Sequence, residues 1–247
     1  MVLDPVGSRP SWGMDSTPSG SSGAQSVVLV HGAYADGSSW SSVIPYLLDA
    51  GLSVTAVQHS LESLQDSVDA TRRALALSSG PTVLVGHSFA GTLISEAGVD
   101  DSVAGLVYVA ARGPDAGEDY GELAAKYPAA PASAGLKFAD GEGRLDQDTF
   151  VRDFASDLPR DRALALHAVQ GPVSETLFKD RTTQAAWRSK PTWYAISTAD
   201  RTINPELQKF MAARMGATQI ELDSSHLSML SHPSEVAQLI LTAARSV

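Results

Sequence analysis

The chain has 247 residues, with 18 Lys and Arg against 28 Asp and Glu, a net charge of −10, and no cysteine. That length suits one large α/β domain or a core domain with an insertion; the acidic balance argues against nucleic acid or an anionic membrane as partner, and disulfides and thiolate chemistry are excluded. No apolar run approaches the roughly 18 residues of a membrane helix, and the N-terminus lacks the basic and apolar regions of a secretory signal, so a cytoplasmic location is expected.

Residues 1–25 read as a flexible tail. Ser, Gly and Pro dominate from Gly7 to Gly23, and such a segment buries too little apolar surface to offset its ordering entropy. Order begins at "SVVLVHG" (Ser26 to Gly32), a β-branched apolar run ended by glycine, as expected of a strand buried on both faces. A helix is predicted from about Ser39 to Ala50, with Trp40, Val43, Ile44, Leu47 and Leu48 at helical spacing and Gly51 as its stop. "LSVTAV" is the second strand, and "LESLQDSVDATRRALAL" a long helix whose Leu64, Val68, Thr71 and Leu75 share a face. "TVLVGH" is the third strand, followed by a helix expected to begin at Ser88, and "VAGLVYVA" is the fourth. From about 113 to 190 the rhythm breaks into helix-like pieces, "DQDTFVRDFASDL" and "RDRALALHAV", with no strand expected. It resumes with "PTWYAIS", a helix near Pro205 to Met215, "TQIEL" and a final helix from about Pro233. Alternating strands and helices predict a mostly parallel sheet of about six strands with helices on both faces, over residues 26–247, carrying a small helical cap at 113–190.

"VLVGHSFAG" holds the candidate nucleophile, Ser88, in a pattern close to Gly-x-Ser-x-Gly, but with Ala90 at the second glycine position and Gly91 one place late. The spelling alone is weak, because Gly20-Ser21-Ser22-Gly23-Ala24 fits the relaxed pattern too, with no strand before it and no helix after it. Context separates the two. Ser88 lies at the carboxyl end of a predicted parallel strand, where ligands bind in such sheets. A serine nucleophile needs a base held by a third group. Asp200 follows the fifth strand in "STAD", and His226 follows the sixth in "DSSH", both on that same edge. An oxyanion also needs preorganised N–H donors. The backbone N–H of Phe89, at a helix start, and that of Ala33, in the "HGAY" loop, are the candidates, with Tyr34 next as a candidate substrate-binding residue. If the second strand lies outside the first, the strand order is 2-1-3-4-5-6 and the switch point falls between that loop and Ser88.

"VVLVHGAYADGSSW", "VLVGHSFAG", "STADRTI" and "DSSHLSMLSHP" resemble the esterase branch of the α/β-hydrolase superfamily, near methylesterase and hydroxynitrile-lyase-like proteins. The resemblance runs from about residue 26 to the end and is weakest in the cap. It implies Ser88 as nucleophile, His226 as base, Asp200 as its orienter, and Ala33 and Phe89 as oxyanion donors, acting on a small-molecule carboxylic ester with no cofactor. The order Ser, Asp, His along the chain is the one this superfamily uses. Two departures stand out: Ala90 at the elbow, and the absence of the two N-terminal antiparallel strands of the fuller fold. Asp115, after the fourth strand, is the rival acid, whereas Asp223 is too close to His226 to be a good partner. A lactonase or hydroxynitrile-lyase-type reaction on the same triad, and a non-catalytic receptor on the same fold, are the alternatives.

The remaining candidates carry less. His31 is expected to support the first-strand loop and His87 to pack beside the elbow. His59, His167 and His232 read as structural or exposed. Tyr120, Phe150, Phe154, Phe178 and Trp187 would shape an apolar pocket, with core packing an equal explanation for each. No His pair has metal spacing, and "ADGEGRLDQD" is too irregular for a calcium loop.

Overall fold

A computed structural model describes residues 23–247. The expected tail up to residue 22, and most of the decoy at 20–24, lie outside the described residues. Ala24 and Gln25, assigned to the tail by composition, already join the fold: their N–H groups donate to Ala244 O and Pro81 O, each at 2.8 Å.

The strands in chain order are β1 (Ser26–Val30), β2 (Ser53–Val57), β3 (Thr82–His87) and β4 (Val103–Val109). Then come β5 (Leu136–Ala139), β6 (Glu142–Leu145) and β7 (Val173–Ser174) within the insertion, followed by β8 (Thr192–Ser197) and β9 (Thr218–Leu222). Six of them form one sheet in the order β2-β1-β3-β4-β8-β9, parallel throughout. The central strands β1, β3 and β8 are buried along their whole length, which is why they read as unbroken apolar runs, whereas edge strands β2 and β9 are largely exposed.

Helices α1 (Ile44–Asp49), α2 (Leu64–Leu77) and α3 (Ala90–Ala97) follow the first three strands. The insertion holds α4 (Tyr120–Ala124), α5 (Gln147–Thr149) and α6 (Arg160–Ala168); α7 (Pro205–Arg214), α8 (Ser228–Ser231) and α9 (Pro233–Ser246) complete the chain. α1 packs with α9, and α2 with α3, covering the sheet. Two predicted helices start later than expected. The first breaks into a 3₁₀ turn at Gly37–Trp40 and then α1, because Pro45 suits a helix start and disfavours a helix running through it. The second begins at Ala90 because Ser88 has φ +55°, outside a right-handed helix.

The insertion carries helices, as expected, but also a three-stranded antiparallel sheet, β5-β6-β7, where no strand was expected. Its first turn is the two-residue loop Asp140-Gly141, both at positive φ (51° and 83°), between paired Ala139 and Glu142. Asp-Gly is a strong tight-hairpin signal, and it lies inside the run weighed as a calcium loop. After α5 the chain widens into a π-helical turn, Phe150–Phe154, that seats Phe150 and Phe154 in the core.

Candidate active site

Sheet register brings the chemistry to one edge. His87 pairs with Val109, Val109 with Ala195, and Ser197 with Leu222, so the segments after β3, β4, β8 and β9 leave the sheet side by side. Ser88 is pinned there: its N–H donates to Val109 O (3.2 Å), and its carbonyl accepts from Gly91 (3.1 Å) and Arg112 (2.9 Å). These bonds hold a serine at φ +55°, a conformation that costs of order 1–3 kcal/mol unless its surroundings over-determine it.

Ser88 Oγ lies 2.7 Å from His226 Nε2, and His226 Nδ1 lies 2.7 Å from Asp200 Oδ2. Asp200 also accepts from the N–H groups of Thr202 (2.7 Å) and Ile203 (3.1 Å) and from Gln208 Nε2 (2.7 Å). A carboxylate engaged only by donors requires the proton on His226 Nδ1, which leaves Nε2 to accept from the serine hydroxyl. All three side chains are buried. The rival acids lie elsewhere: Asp115 pairs with Arg188, and Asp223 is exposed.

The "HGAY" loop meets the elbow because Gly32 has no side chain; a Cβ there would sit 2.7 Å from Ser88 Cβ and 2.9 Å from His87 O. His31 Nδ1–H donates to Gly32 O at 2.9 Å. In a trans peptide this turns the following N–H, that of Ala33, to the opposite side. Among the described residues, neither the Ala33 nor the Phe89 N–H donates to a protein acceptor. Both residues are buried, and both line a cavity of about 620 Å³ with Ser88. Tyr34, at φ +60°, lines the same cavity, its phenol pushed up to about 12 by burial. Among the cap aromatics, Tyr120, Tyr127 and Phe178 also line it; Phe150, Phe154 and Trp187 do not.

His87 packs its ring 4.7 Å from that of His226, and its Nε2–H donates to the His226 carbonyl at 2.9 Å. Burial, with His226 alongside, holds His87 well below the usual histidine range, so it supports the loop as a neutral ring. Among the described residues no group of three or more His, Asp or Glu is disposed to hold a metal ion.

The displaced glycine has a structural reason. A Cβ on Gly91 would collide with the carbonyl oxygen of Arg112, whereas Ala90 opens α3 with its methyl fully buried. At the other side of the elbow, a Cβ on Gly86 would come within 2.7 Å of Ala90 O.

Residues 27–239 match the alpha/beta hydrolase family. The chain belongs to that family. Among solved structures, polyneuridine aldehyde esterase is similar, at 22% identity and TM-score 0.76 over 89% of this chain and 98% of that one. A pyrethroid hydrolase from Sphingobium faniae JZ-2 gives 22%, 0.76, 90% and 97%, and a methylesterase from Arabidopsis 18%, 0.74, 90% and 99%. No curated protein sequence matches the chain.

Three residues around the α/β-hydrolase edge escaped the sequence reading. Gln208 is fully buried; its amide oxygen accepts from Ser197 N (3.0 Å), which turns the NH₂ toward Asp200. Its only signal was a polar residue in the Leu207–Met211–Met215 stripe. Asp157 accepts from Ser225 N (2.8 Å) and Oγ, just before His226. Asp153 receives Arg201, next to Asp200, at 2.6 Å. Burial alone would raise the Asp153 carboxyl, but hydrogen bonds from Arg152 and Arg201 hold it below the usual range. The cap segment 153–157 thus braces both the acid and the histidine loops.

Proposed function

We propose that this hydrolase-family protein cleaves carboxylic esters of small molecules through an acyl-enzyme on Ser88. The observation that carries the reading is a buried chain of hydrogen bonds, Ser88 to His226 to Asp200, beside two N–H groups in one cavity that have no acceptor among the described residues. Ser88 Oγ attacks the ester carbonyl carbon while His226 Nε2 takes its proton. The oxyanion rests on the N–H groups of Ala33 and Phe89, each worth ~3 kcal/mol of transition-state stabilisation. The C–O bond then breaks, and His226 returns the proton to the departing alcohol. Water, deprotonated by His226, attacks the acyl carbon; the acid leaves and Ser88 regains its proton. Asp200 holds the imidazole in the required tautomer and offsets the charge it gains. Tyr34 is assigned to the wall that contacts the substrate. The esterase and hydrolase names among the structural relatives support this reading at the level of the fold.

The test is covalent. Wild type should label with a fluorophosphonate probe at Ser88 and turn over short aryl esters, and Ser88→Ala should do neither, with kcat reduced about ten-thousand-fold or more. A folded wild type that neither labels nor hydrolyses any ester removes the reading.

A further inference from the structure

The cavity beside Ser88 is walled by alanines, aromatic rings and aliphatic side chains. Among the described residues that line it, Arg112 is the one charged group. Its backbone is part of the elbow, with its N–H on Ser88 O at 2.9 Å. Its guanidinium carbon lies 4.4 Å from the Tyr120 ring centroid, 4.6 Å from Phe178 and 5.4 Å from Phe89. Several other arginines find carboxylates, Arg181 with Asp119, Arg188 with Asp115, Arg201 with Asp153 and Arg214 with Glu118, whereas Arg144 and Arg162 donate to backbone carbonyls. Among the described residues Arg112 has neither a carboxylate nor a hydrogen-bond acceptor for its side chain; the groups close enough to feel its charge are the phenols of Tyr120 and Tyr34.

Ring faces offset part of the cost of a cation in an apolar wall, and among the described residues they leave its N–H donors without a protein acceptor, open to the cavity. A guanidinium presents those donors as a planar fork that fits a carboxylate through two parallel bonds. One positive charge without a second cation matches a monoanion better than a phosphate dianion. The protein's net charge of −10 supplies no long-range attraction for an anion, so recognition would rest on this contact. We propose that the ester substrate carries a carboxylate on its acyl or alcohol part, and that Arg112 binds it through paired N–H to oxygen bonds while the reacting carbonyl sits at Ser88. This deepens the ester-hydrolase reading and rests on it.

The experiment compares size-matched esters in the full-length protein. For the acyl side, mono-para-nitrophenyl glutarate is set against para-nitrophenyl pentanoate. For the alcohol side, para-acetoxybenzoate is set against its methyl ester. Wild type should favour the anionic member of at least one pair by about tenfold or more in kcat/KM, as a charged, paired hydrogen bond allows. Arg112→Met, which still fills the space among the rings, should bring that ratio close to one, and Arg112→Lys should regain part of it. Because the ratio is read within each variant, a general loss from disturbed packing cancels, and a purely structural arginine would leave it unmoved. Preference for the neutral member in both pairs, or an anionic preference that survives Arg112→Met, overturns the proposal while leaving ester hydrolysis standing. If no ester is turned over and Ser88 does not label, the ester-hydrolase reading fails separately, and calorimetry with monomethyl glutarate, a monoanion, decides the anion site. Binding weakened about tenfold by Arg112→Met then supports that site, and equal or absent binding overturns it.

Discussion

Asp200 receives four hydrogen bonds, and one of the donors, Gln208, lies on a helix that sequence gave no reason to connect with chemistry. A hydrogen bond to a charged group contributes about 1.5–3 kcal/mol. Removing this one with Gln208→Leu leaves Oδ2 of Asp200 to His226 alone and loosens the carboxylate, although the helix keeps an apolar residue of similar size. Steady-state kinetics on an aryl ester should show kcat lower by about tenfold with KM little changed, since neither residue lines the cavity. An unchanged kcat in a folded variant would mean that the two backbone donors, Thr202 and Ile203, suffice to hold the carboxylate. The three triad candidates were legible at this scale because Ser88 and Asp200 stand at the ends of apolar runs and His226 follows the last strand on the same edge. Their supports were not, because Gln208, Asp153 and Asp157 act across the fold on partners in other elements.

At the level of elements, the turn from β3 into α3 decides where glycine is required. Motif spelling makes Ala90 the anomaly. Packing makes Gly91 the constrained position, because α3 runs against the Arg112 carbonyl as the chain leaves β4. Gly91→Ala therefore forces two backbones apart and should destabilise the protein by ~3 kcal/mol, at the upper end of overpacking costs. Ala90→Gly should cost only about 1 kcal/mol, the usual helix penalty for glycine. Urea midpoints for the two variants check the order. Gly91→Ala should also lower kcat, because the Gly91 and Arg112 N–H groups are the ones that hold the Ser88 carbonyl. The β5-β6 hairpin teaches a related lesson. Its strands are four residues each and mostly exposed, so they lack the apolar runs that announced the central strands, and only the Asp-Gly turn marked them.

For the molecule as a whole, three histidines set an acid limit. His31 and His87 are buried and His59 is partly so, its ring stacked 3.9 Å from His31. Burial lowers all three, pushing His59 down to about 3 with His31 adding to the effect. An unfolded chain protonates its histidines near pH 6.5. Between that value and their folded values the unfolded state binds more protons, so stability falls as pH falls, by up to ~1.4 kcal/mol per pH unit for each histidine. Denaturant midpoints from pH 7.5 down to 5 should decline in this window, and His59→Gln, which keeps an N–H donor, should flatten the slope. Carboxylates held low, such as Asp115 under the hydrogen bond from Arg188, add to the loss only below about pH 4, where their unfolded counterparts protonate. Midpoints that stay level from pH 7.5 to 5 would assign acid sensitivity to the carboxylates alone.

Sequence by itself determined the parallel sheet and the strand ends where Ser88, Asp200 and His226 stand, and left the strand order resting on where the second strand lies. Burial on both faces demands continuous apolar runs, and a run that stops abruptly at Gly-His-Ser or at Thr-Ala-Asp marks the edge where polar groups emerge. That information is local and survives in the order of residues. Tertiary structure alone decided which glycine the elbow needs, which side chains brace the acid and the histidine, and that Arg112 faces the cavity without a counter-charge among the described residues. Each of those depends on atoms brought together from distant parts of the chain, and a 3.6- or 2-residue period carries no trace of them.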